Sequence, residues 1–131
     1  MMDVKSLNVE EQVEENVSQF MHKIASKISK FQLKEIKELF KKSHTIYKAS
    51  ECEVRVAPRK NSFGKILLVI PKKVGSAPKR NLIRRRIKSI FYQEKLYLLQ
   101  YDFIILCRKD ILKLSFDELK NLLNKLTKKL N

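Results

Sequence analysis

Between Glu53 and Glu94 the chain carries no Asp and no Glu, yet it holds twelve Lys and Arg. Such a stretch cannot neutralise itself, so it folds only with its cations turned to solvent or to a polyanion. Its apolar residues must then supply one buried side. The densest part, Lys79–Phe91, meets that condition. Ile83, Ile87, Ile90 and Phe91 recur at helical steps, while Arg80, Arg84 and Lys88 stand one turn apart on a neighbouring ridge beside Asn81 and Arg85.

The flanking sequence supplies the rest of a small fold. Leu33, Ile36, Leu39 and Phe40 share one helical face, and Lys34, Lys37, Lys41 and Lys42 line the other. Cys52, Val54 and Val56 alternate with Glu53 and Arg55, which predicts a half-buried strand. Pro58 to Gly64 reads as a turn. Ile66-Leu-Leu-Val-Ile70 reads as a buried central strand that Pro71 ends, and Asp102–Cys107 as another. Ser115-Phe-Asp-Glu118 is a capping box before Leu119, Leu122, Leu123, Leu126 and Leu130. From residue 31 the expected order is helix, strand, strand, helix, strand, helix. Helices interleaved with a small sheet imply an α/β fold, a two-layer α-β sandwich.

Residues 1–30 differ in character. They hold four Lys against five acids, whereas residues 31–131 hold twenty-five Lys and Arg against nine acids, so the net +15 divides into −1 and +16. Within the first part Val9, Val13, Val17, Phe20, Met21, Ile24 and Ile28 form one helical stripe. The expected organisation is therefore an N-terminal amphipathic helical extension over 1–30 and a basic α/β domain over 31–131. Cys52 and Cys107 show no CxxC or Cys/His spacing and are expected to be reduced core thiols. His22 and His44 suggest no metal site. No apolar run reaches the length of a membrane span, and the start lacks the regions of a secretory signal, so the expected setting is cytoplasmic, without a membrane partner.

Charge and periodicity together point to nucleic acid. A solvated helix face is the ordinary explanation of Arg80, Arg84, Arg85 and Lys88, but this face lacks i,i+4 carboxylates and the acid-free window extends well beyond it. Arg suits the task because its planar fork grips phosphate bidentately and stacks on exposed bases. Asn81 either meets a 2′-hydroxyl or base edge, or holds the helix start through the backbone. The loop before the helix places Gly75 and Ser76 to present backbone N–H groups to a phosphate, with Lys72 and Lys73 adding charge.

Lys72-Lys-Val-Gly-Ser-Ala-Pro-Lys-Arg-Asn-Leu-Ile-Arg-Arg-Arg-Ile-Lys88 resembles the signature of the bacterial ribonuclease P protein subunit. That pattern runs Lys-Lys-x-Gly-x-Ala, two variable residues, Arg-Asn, then basic residues on the following turns. The resemblance continues through Tyr101-Asp-Phe-Ile-Ile-Leu-Cys-Arg108 and Leu114-Ser-Phe-Asp-Glu-Leu119, covering about residues 31–131. It implies a basic protein bound to a large catalytic RNA, assisting endonucleolytic removal of the 5′ leader from precursor tRNA. It also implies a left-handed β-α-β crossover, against the usual hand. Lys72, Lys73, Gly75, Ser76, Lys79, Arg80, Asn81, Arg84, Arg85 and Lys88 would face the catalytic RNA. A cleft between the first family helix and the sheet, marked by Ile36, Phe40 and Arg55, would hold the single-stranded leader. Phe40 matches one family aromatic, Ile36 stands where another is common, Ser43 where Gly is common, and Lys88-Ser89 replaces the more usual Arg-Glu.

The chain offers no catalytic set of its own. Two-metal cleavage needs carboxylates converging within a few ångströms, and Glu51, Glu53, Glu94 and Asp102 form no motif. Mg²⁺ is expected to be held mainly by the partner RNA, whose phosphates supply its ligands. The alternative is a ribosome-associated or general RNA-binding protein without processing activity.

Overall fold

The computed structural model describes residues 31–130, so the predicted helical stripe within residues 9–29 lies outside the described residues. The elements run α1 (Leu33–Lys42), β1 (His44–Lys48), β2 (Cys52–Pro58), β3 (Ile66–Val69), α2 (Ala77–Gln93), β4 (Tyr101–Cys107) and α3 (Phe116–Lys128). Short 3-10 turns at Lys72–Val74, Leu96–Leu98 and Lys109–Lys113 connect them. The strands form one sheet in the order β1-β2-β4-β3. β1 and β2 are antiparallel, β2 and β4 are antiparallel, and β3 runs parallel to β4. β3-α2-β4 is thus a β-α-β unit joining adjacent strands, as parallel neighbours require a crossover.

The alternation of β2 and β4 sorts their side chains onto two faces. Cys52, Val54 and Val56 share one face with Phe103, Ile105 and Cys107, and that face packs on Ile83, Ile87, Ile90 and Phe91 of α2 and Leu119, Leu123 and Leu126 of α3. Phe91 meets Phe103 edge to face at 5.5 Å, a geometry aromatic rings favour. The other face carries Ala57 and Ile104, on which Leu39 of α1 sits, with Phe31, Phe40, Leu67 and Leu106 around them. The sandwich therefore has α2 and α3 on one side and α1 laid over part of the other.

That placement changes the expectation for β2. It is not half-buried: even Glu53, on the face opposite the main core, is only 8% exposed. The strand His44–Lys48 was not expected. It is an edge strand with mostly exposed or half-buried residues, paired on one side only and bulged between Thr45 and Tyr47, so it shows no clean apolar alternation. α2 begins two residues before the basic run, with Pro78 in its first turn, where a missing N–H costs nothing. It ends where Lys95 takes a left-handed conformation (φ 55°). α3 starts on the expected capping box: Glu118 N–H donates to Ser115 Oγ at 3.1 Å and Ser115 N–H to Glu118 Oε1 at 3.0 Å.

Cys52 and Cys107, far apart in sequence, are cross-strand neighbours. Both are free and buried, and burial pushes each thiol up to about 12.

Candidate nucleic-acid interface

α2 is anchored by a buried stripe, so its remaining sides must face outward. Ile83, Ile87, Ile90 and Phe91 are at most 1% exposed. Lys79, Asn81 and Arg85 are exposed, while Arg80, Arg84 and Lys88 are half-buried. None of the cations from Lys72 to Lys88 makes a salt bridge among the described residues. The Lys72–Lys88 part of the acid-free window thus folds into a surface without an ion pair among the described residues, whereas Arg55, Lys60 and Lys65 of the same window are paired with Glu53, Glu38 and Glu35. Burial, with the positive charge of Arg84 nearby, lowers the pKa of Lys88. Close cations of one sign raise the local potential and favour an anion there.

Local bonds shape this surface. Arg84 donates through an Nη to Asn81 Oδ1 at 2.7 Å, so Asn81 orients a guanidinium instead of holding the helix start. Arg80 donates through Nε to the Gly75 carbonyl at 3.2 Å and ties α2 to the preceding loop. In that loop Val74 is 1% exposed and acts as the anchor, leaving Lys72 and Lys73 exposed. The Gly75 N–H donates to the Lys72 carbonyl at 3.2 Å. It is therefore engaged within the loop. Ser76 is the N-cap of α2 and is exposed.

The second group of expected residues lies on the opposite face of the sheet. Ile36 and Phe40 are half-buried on α1, and Phe40 packs against the cluster of Leu39, Ala57 and Ile104, so part of its ring serves the core. Arg55 is more committed than its sequence position suggested. Its Nε donates to Ser43 Oγ at 2.8 Å and one Nη to the Ser43 carbonyl at 3.2 Å. The other Nη donates to Thr45 Oγ1 and Glu53 Oε2, each at 3.3 Å. Ser43 Oγ in turn donates to the Phe40 carbonyl at 2.8 Å, so Arg55 holds the C-terminal end of α1 to β2.

Glu53 sits at the centre of this arrangement, a part the sequence did not reveal. Thr45 donates to it at 2.9 Å, Arg55 at 3.3 Å and Arg108 at 3.4 Å. The Thr45 hydrogen bond, with Arg55, holds its carboxyl below the usual carboxylate range despite the opposing cost of burial. The only advance signal was an acidic residue in an apolar strand, which a covered face obliges to find partners. Asp102 is buried too, at 4% exposure, and accepts the Lys65 N–H at 2.8 Å. Burial raises its pKa, opposed by that hydrogen bond.

The other carboxylates are similarly dispersed. Glu51 accepts from Tyr47 at 2.7 Å, and Glu94 accepts from Asn124 at 2.8 Å. Among the described residues, no group of three or more His, Cys, Asp and Glu comes together that could hold a metal ion. No described helix is long and apolar enough to cross a membrane.

These observations define a small basic α/β protein with an unneutralised helix face. The family described as Ribonuclease P matches residues 31–131, and the chain belongs to that family. The ribonuclease P protein component of Mycoplasma mobile is 37% identical over 73 residues, which span 53% of this chain and 65% of that protein, a little under two thirds of its length. The Streptococcus pneumoniae protein component is 34% identical over 93 residues, 70% of this chain and 75% of its own. The fold is also that of the Staphylococcus aureus RNase P protein, with a TM-score of 0.68 at 22% identity over 79% of this chain and 95% of that one.

Proposed function

We propose that this protein is the protein subunit of ribonuclease P and assists RNA-catalysed removal of the 5′ leader from precursor tRNA. The observation that carries this reading is the folding of Lys72–Lys88 into a basic surface that makes no salt bridge among the described residues, in a chain of this family. Lys72, Lys73, Ser76, Lys79, Arg80, Asn81, Arg84, Arg85 and Lys88 contact the catalytic RNA, with Gly75 shaping the loop. Ile36 and Phe40 border the leader, and Arg55 positions the helix that bears them. The protein supplies affinity and electrostatic relief, which the polyanionic complex needs most at low Mg²⁺. Among the described residues the carboxylates are dispersed and engaged internally, and this reading assigns Mg²⁺ to RNA phosphates.

Reconstitution tests this. The purified protein alone should leave precursor tRNA intact, and it should stimulate its cognate catalytic RNA at low Mg²⁺. Cleavage by the protein alone would place the chemistry in this chain. RNA binding without stimulation would make it a general or ribosome-associated RNA-binding protein.

A further inference from the structure

The α1 side of the sheet is apolar beyond what the described residues bury. Leu39 is buried with Ala57 and Ile104, but the shoulder of α1 formed by Leu33, Ile36 and Phe40 is not closed, and Leu33 is 69% exposed. Lys34, Lys37, Lys41 and Lys42 are exposed and make no salt bridge among the described residues. Both carboxylates of the helix are already taken, Glu35 by Lys65 and Glu38 by Lys60. An apolar strip rimmed by unanswered cations fits an amphipathic helix that brings acids of its own.

The chain carries such a sequence within reach. Residues 1–30, outside the described residues, contain the stripe Val17, Phe20, Met21, Ile24 and Ile28. Residues 29–32 join it to α1, a usual length for a connection between antiparallel helices. The point of attachment is fixed. Phe31 packs against the Leu39 cluster with the Lys65 ammonium 4.5 Å from its ring centroid, and Gln32 caps α1 in an extended conformation (φ −87°, ψ 157°). A helix does not run straight through an extended residue, so the chain changes direction there. Turned back with Ile28 beside Leu33, residues 17–28 cover roughly 18 Å, against about 15 Å for α1. All five acids of residues 1–30 precede Asn16, and three of the four lysines follow His22. The antiparallel direction therefore brings Glu14 and Glu15 toward Lys41 and Lys42.

We propose that residues 17–28 dock antiparallel on the Leu33-Ile36-Phe40 shoulder of α1, an internal cover held by apolar contact and by Glu14 and Glu15 against Lys41 and Lys42. Ile36 and Phe40 are also given to the leader above. On that reading the cover leaves before the leader enters, so the segment is a competitor built into the chain.

The full-length protein tests the docking without RNA. A thiol introduced by L33C reports on the shoulder, because Cys52 and Cys107 are buried and their thiols are pushed up to about 12. Breaking the stripe with F20D/I24D should speed alkylation of that thiol at least about tenfold, the ratio given by a 1.4 kcal/mol preference for the docked state. Q19D/S26D adds equal charge on the opposite side of the stripe and should leave the rate slow. An unchanged rate in F20D/I24D, or an equal rise in Q19D/S26D, overturns the docking. Protection that grows with protein concentration places the stripe on a second copy and overturns the internal cover. In the reconstituted holoenzyme, F20D/I24D should tighten binding of precursor tRNA and not of mature tRNA, and equal affinity overturns the competition. Wild-type protein that left its catalytic RNA unstimulated would sink the subunit role, while the thiol readout would still decide the docking.

Discussion

At the scale of single residues, the buried polar groups and the two glycines make the sharpest demands. A Cβ on Gly64 would stand 2.3 Å from the Tyr101 carbonyl oxygen, backbone that has little room to move. Gly64→Ala should therefore cost about 1–3 kcal/mol, measured as a lowered denaturant midpoint. Gly75→Ala meets the flexible end of Leu112 at 3.2 Å and should cost less. Glu53 gives a pH-dependent case. Its folded pKa is depressed, so its contribution is present above the ordinary value of 4.5 and lost as pH falls through the folded value. Glu53→Gln should destabilise by about 1–3 kcal/mol at neutral pH, with the gap from wild type closing in acid. A gap independent of pH in unfolding curves would mean that the carboxylate charge is not what Thr45, Arg55 and Arg108 stabilise.

At the scale of elements, most were visible in the sequence because their signals are local. The capping box at Ser115 is set by residues three apart, and Ser115→Ala should cost about 1 kcal/mol in thermal or chemical unfolding. α2 was visible for the same reason, since a stripe of Ile83, Ile87, Ile90 and Phe91 specifies its buried side without reference to what it packs on. β1 was not. An edge strand is stabilised by hydrogen bonds to one neighbour and need not bury a face, so His44–Lys48 left no apolar period to read. The burial of Glu53 was hidden for a related reason: it depends on Thr45 and Arg108 reaching its carboxylate from other elements, which no spacing within β2 records.

For the whole molecule, the governing quantity is a charge of +15 concentrated beyond residue 30. Arg85 is exposed on α2, and Arg85→Ala should leave the unfolding transition unchanged. It should reduce the salt slope for catalytic RNA by about 0.7–0.9, the contribution of one phosphate contact. An unaltered slope would place Arg85 outside the interface. The sequence by itself determined that this chain makes an α/β domain with a basic helix and no acids to answer it, because composition, capping and helical period act over a few residues. Only the tertiary structure decided which cations stay available. It turned Arg55 inward to Ser43, Thr45 and Glu53, drew Glu35 and Glu38 to one flank of α1, and set α1 and α2 on opposite faces of the sheet. Those outcomes depend on partners up to thirty residues or more away in sequence, and long-range pairing of charges is a property of the packed fold alone.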